Sequence, residues 1–418
     1  MRRAFILTLG CPKNQADSDC FAGCLAGAGW TLTDDPRTAD LLLLNTCAFI
    51  DPAVEESLNT MEQAAEWKRE RPGRKLILAG CLPGRYSHDG SGGLEDFDLV
   101  IGPADTAGLA RWLGSSSRDL SPLLGDGSLR FLKISEGCSN NCAYCTIPLI
   151  RGPRRDRSTE EILRDASLLA DQGAAEIGVV GQDTAAWSAG GGGVSRLLSR
   201  LASEHPGIWF RLYYVHPAHF VEDFPRLMEE HSNIMPYMDL PVQHFSDGIL
   251  RRMGRGYTGD YLEGLFTDLD ACRPMVSVRV TVIAGYPGET GEDFRMLEDF
   301  LGRHSCIRTV AAFPYWHEEG TREYGTGSPG ELPGEEAVRS RLTRIGDVAE
   351  EHYDRWGEML EGSVIQVMAD GAGLGHSRFD APAVDGACLL DRDVSPGSVV
   401  ECRVTGFEGP DLECRVLP

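Results

Sequence analysis

The sequence predicts an α/β protein in three parts: an amino-terminal parallel α/β domain, a central partial (β/α)6 barrel and a small all-β barrel at the carboxyl end. Three observations predict it. Strand-like apolar runs alternate with helical spacing over residues 4–113; a second alternating series of six strands follows a Ser-, Gly- and Asp-rich stretch; and after Gly362 the pattern changes to short strands punctuated by Gly, Pro and Asp. The expected boundaries are residues 1–120, 128–358 and 359–418, and a length of 418 residues suits two or three domains. At 42% hydrophobic and 25% charged residues, the composition excludes a disordered or fibrous chain.

The first part rests on the runs Ala4–Leu9, Leu41–Leu44 and Leu76–Ala79. Met1-Arg2-Arg3 before an apolar stretch ending at Cys11 imitates a lipoprotein leader, but Thr8 interrupts that stretch, which reads as the first strand. A cysteine closely follows each run: Cys11, Cys47 and Cys81. Parallel strands put their carboxyl ends on one edge, where ligands bind, so these three thiols can meet there.

Residues 114–127 lack periodicity and read as a linker. Beyond it, Leu129–Ile134, Ile177–Val180, Trp209–Tyr214, Tyr237–Leu240, Val278–Ala284 and Ile307–Phe313 read as six strands. Ser158 and Glu161 form a capping box for a helix with Ile162, Ala166, Leu169 and Ala170 on its apolar face. Further helices are expected over Tyr261–Leu269 and after Thr290, with Phe294, Leu297 and Leu301 inward. In such a barrel the active residues sit in loops at the carboxyl face. Glu335–Trp356 carries Val338, Leu342, Ile345, Val348 and Trp356 on one side, which predicts a long amphipathic helix. Strands such as Val364–Met368 and Val399–Val404 then build the terminal barrel.

Lys plus Arg number 40 against 63 Asp plus Glu, a formal charge of −23. So acidic a surface repels a polyanion unless a local basic patch intervenes, and it attracts a basic protein. No run approaches membrane-spanning length, so a soluble cytoplasmic protein with no membrane partner is expected. The thirteen cysteines, an odd number spread along a long chain, fit no disulfide framework and point to metal or redox chemistry.

The strongest local signal is Cys138-Ser-Asn-Asn-Cys142-Ala-Tyr-Cys145, just after the first barrel strand. Three thiolates this close can hold a cubane iron-sulfur cluster and leave its fourth iron open, whereas ordinary ferredoxin clusters take a fourth cysteine. A zinc site or chance spacing is the bland alternative. Cys20 and Cys24 share a helix face and rival the first trio, although buried small apolar side chains are the favoured reading for both. Cys272, Cys306, Cys388, Cys402 and Cys414 carry no assigned chemistry.

This loop resembles that of the radical S-adenosylmethionine superfamily, in which the open iron chelates S-adenosylmethionine and one electron cleaves it to a 5′-deoxyadenosyl radical. The resemblance to its methylthiotransferases covers essentially the whole chain. It runs through Gly10-Cys11-Pro12-Lys13-Asn14 with Asp17-Ser18, Asn45-Thr46-Cys47, Ala79-Gly80-Cys81-Leu82, Glu136-Gly137-Cys138, Ile147-Pro148-Leu149-Ile150-Arg151-Gly152 and Gly181-Gln182-Asp183-Thr184. It continues through Pro241-Val242-Gln243-His244, Arg252-Met253 to Gly256-Tyr257-Thr258 and Gly285-Tyr286-Pro287-Gly288-Glu289-Thr290. The tail from Gly375 to Gly386 resembles the small barrel called TRAM. The resemblance implies two 4Fe-4S clusters, one on Cys138, Cys142 and Cys145 and an auxiliary one on Cys11, Cys47 and Cys81, with S-adenosyl-L-methionine as cofactor.

One branch of that family modifies an adenosine in tRNA; another modifies the β-carbon of an aspartate in small-subunit ribosomal protein twelve. Cys11 to Asn14, Ile147 to Gly152 and Pro241 to His244 resemble the ribosomal-protein branch, whereas Val215-His216-Pro217 is closer to the tRNA branch and Asp156 replaces an expected serine. From Glu361 to Pro418 there are ten acidic residues and four arginines, which suits a basic protein and disfavours tRNA. The implied partners are therefore a ribosomal protein substrate, an electron donor and a sulfur source. A non-catalytic iron-sulfur or metal-binding electron-transfer protein is the alternative from another class. His216, His219 and His244 are candidates for lining the site, against packed or solvated histidines. Arg151 is expected either to meet a carboxylate or to form a structural ion pair. Gln182, Asp183 and Glu289 are expected near the cofactor because they end barrel strands or begin the following loops.

Overall fold

A computed structural model of the protein describes residues 2–86, 94–115, 128–325 and 332–418. From residue 116 onward, the stretch read as a linker lies outside the described residues. The first part is a five-stranded parallel sheet in the order Thr31–Leu32, Arg3–Thr8, Leu41–Thr46, Lys75–Gly80 and Leu99–Val100. Leu41–Thr46 is buried throughout, as a central strand covered on both faces must be, which explains its unbroken apolar run. Phe21, Ala22, Cys24 and Leu25 of helix Pro12–Gly27 cover one face, and Ala64 of helix Asp51–Arg69 covers the other.

Six parallel strands follow in chain order around an open barrel: Leu129–Lys133, Glu176–Val180, Trp209–Leu212, Ile234–Gln243, Ser277–Ala284 and Ile307–Pro314. Helices Thr159–Asp171, Gly193–Glu204, Gly259–Asp270 and Gly291–Arg303 pack their apolar stripes on its outside, and both Ser158–Glu161 and Thr290–Asp293 close as capping boxes. The third strand stops two residues short of the expected Tyr214. There the backbone turns to φ +58°, and the Tyr214 N–H donates to Asp239 Oδ2 at 3.3 Å instead of continuing the ladder. The long helix Glu335–Leu360 runs beyond the expected Trp356, whose indole donates to the Ile307 carbonyl at 2.9 Å.

The tail is a closed five-stranded barrel of Val364–Gly371, Leu374–Ser377, Cys388–Leu390, Asp411–Val416 and Val399–Glu408. It docks on the amino-terminal ends of the central strands, where Met368 and Ala381 pack with Trp209, Met235 and Tyr237. Buried charges fasten it: Arg211 pairs with Glu176 at 2.7 Å and donates to the Ser377 and Arg378 carbonyls, His376 meets Glu176 at 3.1 Å, Arg308 meets Asp380 at 2.5 Å, and Arg279 meets Asp385. Among the described residues no helix is long and apolar enough to cross a membrane.

Candidate active site

The first trio is built by strand register. Thr8 pairs with Asn45 and Thr46 with Gly80, so the residues that leave the three strands share one edge. Cys11 precedes helix Pro12–Gly27, Cys47 follows Thr46, and Cys81 opens the short helix Cys81–Tyr86. Two glycines make this crowding possible. A side chain at Gly10 would meet Cys47 Cβ at 2.8 Å and Sγ at 3.0 Å, and one at Gly80 would run into Asn45 and Thr46; both residues hold left-handed φ, +91° and +97°. Buried Asn14 laces the strand ends, donating to the Leu9 and Thr46 carbonyls at 2.9 Å each and accepting from Asn45 through its own carbonyl.

The electrostatics of the three thiols differ. Burial raises the pKa of each, most plainly for Cys47, which is pushed up to about 11. At Cys11 that penalty is outweighed by Lys13, Arg151 and the backbone N–H groups of Asn14 and Lys13, so its thiol is held below the ordinary range. Cys81 also stays raised, although the Arg151 guanidinium opposes the shift and donates to Cys81 Sγ at 3.5 Å.

The second trio lies in the loop between Ser135–Glu136 and Arg155–Asp156, a short antiparallel pair with too little length to show in a periodicity. Cys138 N donates to the Gly152 carbonyl at 3.1 Å, and Ala143 N to the Met253 carbonyl at 2.8 Å, which pins the loop at both ends. Burial pushes Cys145 up to about 12. A buried guanidinium serves this trio too: Arg255 donates to Cys142 Sγ at 3.2 Å while bound to Tyr257, Tyr144 and the Pro241 carbonyl.

Each site offers three thiols, the donor set that a cluster with one open iron would take. Among the described residues, the set of three metal-ligating groups with all ligand atoms within 4.8 Å of one another is Asp183, His216 and His219, so each cysteine trio is spread more widely. Thiolates on one tetrahedral zinc would stand about 3.8 Å apart. Three sulfur donors per site and a guanidinium beside each suit a cubane anion.

The two sites share a wall. Helix Cys81–Tyr86 packs against helix Ile147–Arg151, which ends the second cysteine loop, and a side chain at Gly84 would touch the Ile150 carbonyl at 2.9 Å. Arg151 reaches across this seam to Asp17 at 3.0 Å, Glu136 at 2.9 Å and Asn14 Oδ1 at 2.6 Å, and Lys133 pairs with Asp17 and Glu136. Of the two expectations for Arg151, the structural ion pair is the one observed; its guanidinium is too fully engaged to meet a substrate carboxylate. Burial would raise the Glu136 carboxyl, but Lys133 and Arg151 pull it down to about 2.

Gln182 and Asp183 follow the carboxyl end of strand Glu176–Val180, and His216 follows that of strand Trp209–Leu212. Gln182 Nε2 and Oε1, Asp183 Oδ1, Thr184 Oγ1 and His216 Nε2 are buried without protein partners, an unsatisfied polar lining that calls for a polar occupant. Asp183 Oδ2 accepts from Asn140 of the cysteine loop at 2.6 Å and meets His219 Nδ1 at 2.7 Å. Burial opposes ionisation of Asp183, yet His219 and Asn140 lower its pKa; that hydrogen bond in turn raises His219, while burial and Arg255 push His216 down to about 3. Glu289 Oε2 accepts the Gly285 and Tyr286 N–H groups, and Oε1 lies 3.2 Å from Arg341 but is buried without a hydrogen-bond partner among the described residues. His244 is buried with Nδ1 accepting from Ser246 N at 3.0 Å. Cys24 packs in the first core, and Cys20 lines a cavity of about 330 Å³ between the first two parts. Arg255 was not singled out in the sequence, because it stands 113 residues from the thiol it serves.

The family described as "Uncharacterized protein family UPF0004" matches residues 3–102, and the Radical SAM superfamily matches residues 132–301. Among curated relatives, the ribosomal protein uS12 methylthiotransferase RimO of Moorella thermoacetica is 36% identical over 97% of this chain and 97% of its own length. The protein of the same name from Chlorobium limicola is 34% identical over 100% of this chain and 99% of its own length. Among solved structures, the radical S-adenosylmethionine methyltransferase TsrM of Kitasatospora setae aligns with TM-score 0.55 at 14% identity over 75% of each chain. The cobalamin-dependent radical enzyme OxsB aligns with TM-score 0.51 at 11% identity over 84% of this chain and 62% of its own. These two likenesses speak to fold alone. Joined to near full-length identity with the curated relatives, the two cysteine trios meeting at one seam place this chain in the RimO family of radical S-adenosylmethionine methylthiotransferases.

Proposed function

We propose that this chain transfers a methylthio group to the β-carbon of an aspartate of ribosomal protein uS12. The observation that carries the reading is the seam between two three-cysteine sites, in a chain aligned almost end to end with enzymes named for that reaction. Cys138, Cys142 and Cys145 hold the 4Fe-4S cluster that takes S-adenosylmethionine, and Cys11, Cys47 and Cys81 hold the auxiliary 4Fe-4S cluster. When bound, these groups supply one-electron cleavage of S-adenosylmethionine and a transferable sulfur.

The chain's own residues position and shield. Arg255 holds a fixed positive charge against Cys142, and Asn140 ties the second cysteine loop to Asp183. Gln182, Asp183 Oδ1 and His216 offer their open polar atoms to the cofactor. Arg151, Asp17 and Glu136 hold the first part against the barrel so that the two sites keep one spacing. An electron donor and a sulfur source complete the reaction, and the cytoplasm, where ribosomal proteins are made, is its place.

The test is anaerobic turnover of the reconstituted protein with S-adenosylmethionine, a reductant and either a uS12 peptide or modified tRNA, read by mass spectrometry. Methylthiolated peptide is expected; product on tRNA alone overturns the substrate. Cys145→Ala should release no 5′-deoxyadenosine. The variant with Cys138, Cys142 and Cys145 all changed to Ala should retain one cluster's worth of iron and sulfide, and retention of none would remove the auxiliary site.

A further inference from the structure

An aspartate modified at its β-carbon reacts one bond away from its own carboxylate. A donor that recognises that carboxylate must stand beside the group that delivers sulfur, and a cation also compensates the charge of an anion taken into a half-buried cleft. Two cationic side chains act on Cys11: Lys13 and Arg151. Arg151 is consumed by Asp17, Glu136, Asn14 and Cys81. On the barrel side, Arg255 is taken by Tyr257 and the Pro241 carbonyl, Arg279 by Asp385, and Lys133 by Asp17 and Glu136.

Lys13 is different. Its half-buried ammonium lies 3.2 Å from the centroid of the Tyr214 ring, and among the described residues no carboxylate oxygen comes within 4.0 Å of it. A ring face holds an ammonium without using up its N–H donors. The ring itself is fixed: Tyr214 has φ +58°, its N–H donates to Asp239 Oδ2, and its carbonyl accepts from Thr184 N at 3.0 Å. Lys13 is thus parked on a rigid shelf that extends from the barrel to the first cysteine trio, with its hydrogen-bonding capacity open.

We propose that Lys13 binds the carboxylate of the target aspartate and so selects the side chain that receives sulfur. This rests on the substrate reading above. The experiment measures binding of two synthetic uS12 peptides to the anaerobic holoenzyme by fluorescence anisotropy, one with the target aspartate and one with asparagine in its place. Wild type should prefer the aspartate peptide by about tenfold or more, the size expected of a charged hydrogen bond. Lys13→Met should bring the preference to near unity, and Lys13→Arg should keep most of it. Because the readout is a ratio between two peptides on one preparation, partial loss of folded or cluster-loaded protein cancels. An unchanged ratio in Lys13→Met, or no preference in wild type, overturns the proposal. Failure to bind either peptide, together with product on tRNA, strikes the substrate reading itself.

Discussion

Arg151 concentrates several roles in one side chain: it compensates two buried carboxylates, supports Asn14 beneath the strand ends and donates to a thiol of the first trio. Removing one partner of a buried charge cluster costs about 3–5 kcal/mol, because the remaining charges stay buried. Arg151→Met should therefore lower the unfolding free energy by that order, measured by denaturant titration, and should alter the electron paramagnetic resonance spectrum of the auxiliary cluster. Arg151→Lys should recover part of the stability but not the spectrum, since an ammonium cannot reproduce the guanidinium fork. The low pKa of Glu136 gives the pH sign. Its carboxyl is shifted down from 4.5 to about 2, so its contribution is complete above pH 4.5 and disappears as pH falls through about 2. The placement of the six cysteines was legible because one trio sits in a single loop and the other follows three strand ends. The guanidiniums were not, because long-range pairing leaves no local spacing to read: Arg151 and Cys81 are 70 residues apart.

At the scale of elements, periodicity and caps carried most of the fold. The capping box at Ser158 is formed as its spacing predicts, and Ser158→Ala should cost about 1 kcal/mol in thermal or chemical denaturation with no change in cluster content. Elements below two turns escaped. Helix Cys81–Tyr86 and the pair Ser135–Glu136 with Arg155–Asp156 are too short for any window, yet they aim Cys81 and frame the second loop. Gly80 joins strand to helix at the tightest point. Gly80→Ala forces a side chain into Asn45 and Thr46 at a left-handed φ, a strain of about 1–3 kcal/mol before any clash. Iron and sulfide analysis should show loss of the auxiliary cluster and retention of the other; loss of neither would mean that the strand edge tolerates the added carbon.

For the whole molecule, the docking of the tail barrel changes what its charge means. Asp380 and Asp385, two of its acidic residues, are spent on Arg308 and Arg279, and the tail docks at the opposite end of the central strands from the cysteine loops. These two carboxylates are therefore taken up by the dock, and the count of charges in the sequence could not reveal that placement. The dock should also respond to pH. Burial lowers the His376 pKa, but Asp370 and Glu176 overcome this and raise it from 6.5 to about 9. A raised folded-state value means stability that is complete below pH 6.5 and lost as pH climbs through about 9. His376→Gln should flatten that alkaline limb in a pH series of denaturation midpoints; an unchanged slope would place the pH dependence elsewhere. Met368 and Ala381 cork the amino-terminal end of the central barrel against Trp209, Met235 and Tyr237, which leaves the carboxyl end, where the cysteine loops lie, as the face for an arriving substrate. A protein loop bound at that face would also cover the cysteine loops and act as a stopper against solvent and oxygen. Unproductive breakdown of the cofactor should then slow once that loop is seated.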